Sequence, residues 1–290
     1  MLQSPLISAD ELLKLLEGPP ADLVILDTRP AGADYAKGHL PGAIHAELNS
    51  ALSAAEEPGA EAAEGGRHPL PSIETWARRL GEWGIGPRTT VIVYDDHDAS
   101  NAAARAWWML RSAGHHNVRV LDGGLGAAIA GSLPITTDAT VLHSREAYPC
   151  RAWEWPTASM KDVDSARRDP LRKVLDVRSE PRFRGETEPI DPVAGHIPGA
   201  INLPFPKNVE HGGHFKAPKT LRHQYERLLD GTPPERLIVH CGSGVTACQT
   251  LLALSIAGLE GASLYVGSWS EWCRNDRPRA SRFSGMTRRG

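Results

Sequence analysis

Cysteine is scarce in this 290-residue chain. Cys150, Cys241, Cys248 and Cys273 are the four present, with no C-x-x-C pair and no zinc-ligand spacing among them. That excludes a disulfide scaffold and a zinc ribbon, and no metal or other cofactor is expected. Long apolar runs are absent too; none approaches the roughly 18 residues of a membrane span. Excess charge of either sign is missing, with 32 Lys and Arg against 35 Asp and Glu. Neither a nucleic-acid groove nor a polybasic membrane patch is therefore expected. The start, Met1-Leu2-Gln3-Ser4-Pro5, lacks the basic and apolar regions of a secretory signal. The expectation is a cytoplasmic protein with reduced thiols.

What the chain does have is a sequence written twice. Val24-Ile25-Leu26-Asp27-Thr28-Arg29 and Gly38-His39-Leu40-Pro41-Gly42-Ala43-Ile44 return as Val174-Leu175-Asp176-Val177-Arg178 and Gly195-His196-Ile197-Pro198-Gly199-Ala200-Ile201. Val91-Ile92-Val93-Tyr94-Asp95 answers Leu237-Ile238-Val239-His240-Cys241, and Leu121-Asp122-Gly123-Gly124 answers Tyr265-Val266-Gly267-Ser268. Matching elements in matching order imply two domains of one fold. Short β-branched runs alternate with amphipathic helical stretches such as Asp10–Leu16 and Leu251–Ile256. That alternation predicts an α/β class, each domain a parallel sheet flanked by helices. Boundaries are expected at residues 1–137 and 150–280, across a proline-bearing linker from about Thr136 to Pro156. Residues 281–290, with Arg288 and Arg289, read as a flexible tail, and Ala51–Gly66 as a surface excursion.

The most informative segment is Cys241-Gly242-Ser243-Gly244-Val245-Thr246-Ala247, between an apolar strand and a helix. A cysteine at the carboxyl end of a buried strand lies where α/β folds keep their chemistry. The following helix start offers unpaired N–H groups and partial positive charge, which favour an anionic sulfur. Cys248, about two helical turns on, reads as a buried helix residue, with a regulatory disulfide to Cys241 as the alternative. The first half carries Asp95 where the second has Cys241, so one active and one degenerate half are expected, the degenerate half still able to wall a cleft.

These residues resemble the two-domain rhodanese superfamily, nearest its 3-mercaptopyruvate sulfurtransferases. Arg105-Ala106-Trp107-Trp108-Met109, Leu121-Asp122-Gly123-Gly124 and Gly267-Ser268-Trp269-Ser270-Glu271-Trp272 extend the likeness over roughly residues 6–278. The resemblance implies two tandem rhodanese-like domains and a ping-pong transfer. Cys241 would take sulfur from a small donor anion as a persulfide, then pass it to a thiol, a thioredoxin-like dithiol or cyanide. Gly242, Ser243, Gly244, Val245, Thr246 and Ala247 would supply backbone donors, and Arg182 would bind the donor's carboxylate. His68 matches a histidine that works with the loop serine, although Asn49 stands where an acid completes that relay. Ile190 stands where a second arginine is common. Glu188 reads either as part of the substrate loop or as a partner of Arg182. Trp272 reads as core, and Trp269 as core or the mouth of a cleft. His39 and His196, present in both halves, read as structural.

Thiosulfate is the alternative donor, although thiosulfate-preferring relatives carry basic residues at the positions of Gly242 and Ser243. A non-enzymatic sulfur carrier is the alternative to catalysis. A related phosphatase is excluded because Ala247 stands where such an enzyme needs its phosphate-clamping arginine.

Overall fold

A computed structural model describes residues 4–18, 22–30, 32–96, 98–100 and 102–282. The chain forms two compact units. The first takes the chain up to Ala54, Pro71–Trp155 and Val209–Ala217; the second takes Ala55–Leu70, Pro156–Asn208 and the chain from Pro218 on. Each unit thus includes a segment that the sequence repeat assigns to the other half. Residues 283–290, most of the expected tail with Arg288 and Arg289, lie outside the described residues, as do Met1–Gln3 of the amino terminus.

In the first unit the strands are β1 (Leu6–Ile7), β2 (Leu23–Asp27), β3 (Ala43–His45), β4 (Thr90–Tyr94) and β5 (Val118–Leu121). Its helices are α1 (Ala9–Glu17), α2 (Gly32–Lys37), α3 (Leu48–Ala51), α4 (Ile73–Glu82), α5 (Ala103–Ser112) and α6 (Gly124–Ala130). In the second unit β6 (Lys173–Asp176), β7 (Ile201–Asn202), β8 (Leu237–His240) and β9 (Ser263–Leu264) form the sheet. Helices α7 (Met160–Ala166), α8 (Glu180–Arg184), α9 (Pro218–Leu229), α10 (Thr246–Ile256) and α11 (Ser268–Trp272) surround it.

Both sheets are parallel, ordered β1-β5-β4-β2-β3 and β7-β6-β8-β9. Thr157 bridges Leu264 in parallel, so it takes the place beside β9 that β1 holds beside β5. Read outward from that edge, the two orders are the same. The central strands β4 and β8 are apolar on both faces because helices cover both sides; every residue of β8 is buried. Asp27 lies opposite Tyr94, and Asp176 opposite His240. The repeat's Asp-x-Arg motif is thereby set beside the strand end that carries Asp95 in one unit and Cys241 in the other.

In each unit that motif folds back on itself. Arg29 grips the Asp27 carboxylate through Nε and Nη2 at 2.6–3.0 Å and donates to the Gly38 carbonyl at 2.7 Å. Arg178 holds Asp176 at 2.6–3.0 Å and the Gly195 carbonyl at 2.8 Å. The pair ties a strand end to its Gly-His-x-Pro-Gly turn. The turn histidines complete it: His39 stacks on Tyr35 and His196 on Phe183, each with ring centroids 3.9 Å apart. His196 Nδ1 meets the Phe183 carbonyl at 2.7 Å.

The expectation of a surface excursion at Ala51–Gly66 holds for residues 56–61, which are exposed, and is corrected at both ends, where Ala51–Ala54 and Gly66 are buried. Ala55 onward packs into the second unit: Gly65 N–H reaches Glu271 Oε1 at 2.9 Å, and Asn275 Nδ2 reaches the Ala63 carbonyl at 2.9 Å. Glycine permits this closeness, since a Cβ on Gly66 would lie 2.8 Å from the Gly267 Cα. Among the described residues no helix is long and apolar enough to cross a membrane, and no cluster of three His, Cys, Asp or Glu is suited to a metal ion.

Arg29→Ala strands a carboxylate at a fully buried position. We expect the urea midpoint to fall by the equivalent of about 3–5 kcal/mol; a loss under about 1 kcal/mol would mean that the pair does not hold the turn.

Candidate active site

Cys241 follows β8 and is buried, 2% exposed. Its carbonyl accepts from Trp269 N–H at 3.1 Å, and the Gly242 carbonyl accepts from Ser270 N–H at 2.9 Å. Both donors belong to α11. In a trans peptide the carbonyl and the next N–H point in opposite directions, so the N–H groups of Gly242 and Ser243 are turned away from α11. Those two amides, with Val245, Thr246 and Ala247, make no backbone hydrogen bond to a described residue. They are unpaired donors at the start of the buried helix α10. Gly244 makes the loop possible: its φ is +76°, and a Cβ there would lie 2.5 Å from the Val266 carbonyl oxygen.

The N–H of Cys241 itself is held by Ser268 Oγ at 3.2 Å, while that hydroxyl donates to the Tyr265 carbonyl at 2.8 Å. Ser268 adopts φ +54°, where the repeat has Gly124 at +57°. A non-glycine residue there is strained by about 1–2 kcal/mol, and the bridging hydroxyl supplies the compensation.

Cations surround this loop. Arg178, 2% exposed, donates from Nη1 to Glu188 at 3.2 Å and lies 4.8 Å from the centre of the Trp269 ring. Burial alone would lower its pKa, but the charges of Asp176, Glu188 and an ionised Cys241 raise it. Arg182, on α8, is fixed by Glu188 through Nε at 3.2 Å and Nη2 at 2.6 Å. Burial alone would raise the Glu188 pKa, but Arg182 and the N–H groups of Asp191 and Ile190 hold it below the usual carboxylate range. His68 Nδ1 lies 2.8 Å from Ser243 Oγ. Arg67, the residue before it, brings Nη2 to 3.1 Å from the point that a Cβ on Gly242 would occupy, and Arg182 brings both terminal nitrogens to 3.5–3.6 Å.

A buried cysteine at a strand end, with free amides ahead of a helix and two guanidiniums over the loop, is built to hold a small anion against sulfur. The Rhodanese-like domain model matches the chain twice, over residues 8–129 and 159–275. This chain belongs to the rhodanese-like family. A Pseudomonas aeruginosa protein named "Probable 3-mercaptopyruvate sulfurtransferase" is 41% identical over 96% of this chain and 98% of its own. A Mycobacterium tuberculosis protein bearing the name of a thiosulfate sulfurtransferase is 39% identical over 92% of this chain and 93% of its own. The solved 3-mercaptopyruvate sulfurtransferase of Leishmania major superposes with a TM-score of 0.80 at 27% identity, covering 94% of this chain and 75% of that one.

The two rhodanese-like units use the same frame for different ends. In the first, Leu125 and Gly126 N–H hold the carbonyls of Asp95 and Asp96 at 2.9 and 3.1 Å, as α11 does in the second. The Asp95 carboxylate accepts from Ala99 N–H at 3.0 Å, so an acceptor of the chain's own occupies that loop.

The second unit gathers Cys241, the loop from Gly242 to Ala247, Arg182 and His68. Asn49, exposed on α3, belongs to the first unit. Glu188 is a partner of Arg182, resolving the open alternative. Trp269 is fully buried, with Nε1 donating to the Val193 carbonyl at 2.9 Å, so the reading of it at a cleft mouth is corrected to core: the Arg178 guanidinium and the apolar cluster with Trp272 enclose it. Cys248 is buried in α10 and donates to the Gly244 carbonyl at 3.3 Å. Sequence reasoning missed Arg67, Arg178 and Ser268. The Asp-x-Arg repeat signalled Arg178, and adjacency to His68 signalled Arg67.

Because the folded pKa of Glu188 is depressed, its contribution to stability is present above the unfolded carboxylate value and is lost as pH falls through the folded one. We expect Glu188→Gln to lower stability by about 3 kcal/mol at pH 7, since it leaves Arg182 and Arg178 without their shared anion. Urea titrations at falling pH should show the gap from the parent protein closing below about pH 4.5. A gap that stays constant with pH would refute this assignment.

Proposed function

We propose that this sulfurtransferase-family enzyme takes sulfur from 3-mercaptopyruvate onto Cys241 and delivers it to a thiol, a thioredoxin-like dithiol or cyanide. The observation that carries the reading is the set of unpaired amides of Gly242, Ser243, Val245, Thr246 and Ala247, with guanidiniums over Gly242. Cys241 reacts as its thiolate, the nucleophilic form of a cysteine. That thiolate attacks the donor's sulfur. An S–S bond forms and the donor's C–S bond breaks, its electron pair passing to the enolate of pyruvate. The donor's thiol proton ends on that enolate carbon, and the enzyme is left as the Cys241 persulfide. In the second half-reaction an acceptor thiolate, or cyanide, attacks the outer sulfur and restores the Cys241 thiolate.

Arg182, clamped by Glu188, presents Nη1 to the donor's carboxylate, a planar match for a guanidinium. Ser243, hydrogen-bonded to His68, donates to the donor's carbonyl, where negative charge grows as the C–S bond breaks. The names of the Pseudomonas and Leishmania relatives support this donor. A second reading, thiosulfate as donor, is favoured by the name of the Mycobacterium relative and by the second guanidinium over Gly242, which offers a dianion the charge that the loop side chains lack.

Intact-mass measurement after incubation with each donor tests the reading. Mercaptopyruvate should add one sulfur atom to the parent protein and none to Cys241→Ser, which should keep the parent melting temperature. Sulfur gained by Cys241→Ser would remove Cys241 from the chemistry.

The loop from Gly242 to Ala247 has no basic side chain for the second charge of thiosulfate, and one missing charge-assisted contact costs about 1.5–3 kcal/mol. We therefore expect kcat/KM for mercaptopyruvate to exceed that for thiosulfate by about 10-fold or more. Comparable values would transfer the assignment to the second reading.

A further inference from the structure

A carboxylate-bearing donor would meet only one cation if Arg182 acted alone, because Ile190, at the place where the family resemblance implies a second arginine, is an exposed apolar side chain at 55% exposure. We propose that Arg67 is the second arm of the anion clamp: it and Arg182 close on a donor's carboxylate over Gly242, and Arg67 sets the enzyme's preference for anionic donors. This deepens the proposed function and rests on it.

Arg67 and Arg182 approach one point from segments far apart in the sequence. Arg67 Nη2 lies 3.1 Å from the Cβ position of Gly242, and Arg182 Nη2 and Nη1 lie 3.5 and 3.6 Å from it. Both side chains are about one-fifth exposed, at 21% and 18%, while Cys241 and Ser243 are buried. The guanidiniums are thus the part of the site nearest solvent.

The backbone of Arg67 is pinned to the loop's own scaffold. Its N–H donates to Ser270 Oγ at 3.1 Å, and Ser270 N–H holds the Gly242 carbonyl. Its side chain is less committed. The guanidinium makes no hydrogen bond to a described residue, its buried Nε has no hydrogen-bond partner among them, and its one ion pair with a described residue, to Asp191 Oδ1, spans 3.6 Å.

A purely structural role as counter-ion of Asp191 accounts for this poorly. Arg274 Nη1 already donates to that same oxygen at 2.8 Å. Arg67 is held close to Asp191 with its donors unspent, as expected of a side chain that binds an anion arriving from outside.

The test compares alkylation of Cys241 by iodoacetate, which carries a carboxylate, with alkylation by neutral iodoacetamide, in the parent protein, Arg67→Ala and Arg67→Lys. We expect Arg67→Ala to lower the iodoacetate-to-iodoacetamide rate ratio about 10-fold, the size of one charge-assisted contact. The iodoacetamide rate should stay within about three-fold. With mercaptopyruvate, KM and the inhibition constant of pyruvate should rise by about 10-fold or more while kcat changes little. Arg67→Lys should restore part of the ratio, because it returns charge without the planar fork.

An unchanged ratio, or equal slowing of both reagents, would overturn the proposal, the latter by showing that Arg67 only maintains the loop. If the parent protein gains no sulfur from mercaptopyruvate, the donor assignment fails while the alkylation ratio still decides the clamp.

Discussion

Two backbone hydrogen bonds, from Trp269 to Cys241 and from Ser270 to Gly242, are the constraint on which the site depends. They occupy the carbonyls of the cysteine loop on the α11 side and so set the planes of its first two peptides. Everything asked of the loop amides follows from that orientation, since a rigid peptide cannot turn its N–H inward while its carbonyl also points inward. The strained serine at 268 belongs to the same device, because its hydroxyl fixes the N–H of Cys241. Donors positioned before a reaction begins cost no reorganisation when charge develops. A loop fastened at its carbonyls by a buried helix is a direct way to achieve that.

The first unit shows how much of this is frame and how little is chemistry. Asp27 and Arg29 lock the same turn as Asp176 and Arg178, and Leu125 and Gly126 hold the same carbonyls as Trp269 and Ser270. What differs is the occupant. Asp95 brings a carboxylate that accepts from Ala99 in its own loop, where the other unit has sulfur and a row of unpaired amides. A fold of this kind carries function as a small graft on a conserved mechanical frame. The Asp27–Arg29 pair and the Tyr35–His39 stack of the first unit make no use of the strand-end position that Asp95 occupies.

The fold was legible from the sequence because repetition and alternation are local patterns. β4 and β8 declare themselves as short runs rich in Val and Ile, and the Gly-His-x-Pro-Gly turns recur verbatim enough to be aligned by eye. The loop from Cys241 to Ala247 was legible for the same reason, being contiguous. Arg67 and the packing of Ala55–Gly66 were not. Their meaning depends on which unit a segment joins after the chain has crossed over, and no periodicity records that. A run rich in Ala, Glu and Gly looks solvated in one dimension. In three, its glycines are what let the backbone press against Gly267. Trp269 misled for a related reason: proximity in sequence to a reactive loop does not tell whether a ring faces the cleft or the core, and here the cation of Arg178 and the aliphatic cluster enclose it.

The charge balance around the sulfur gives the arrangement its logic. Among the described residues, four guanidiniums, those of Arg67, Arg178, Arg182 and Arg274, pair with three carboxylates, Asp176, Glu188 and Asp191. The excess is a single positive charge. Fewer carboxylates would leave the arginines repelling one another at close range with little water to screen them. More would repel both a thiolate and the anion it must meet. Glu188 and Asp191 thus do more than hold side chains in place. They reduce the cluster to one net positive charge, which favours an anion over the loop. A site tuned in this way attracts an anion without a large excess of charge to trap it.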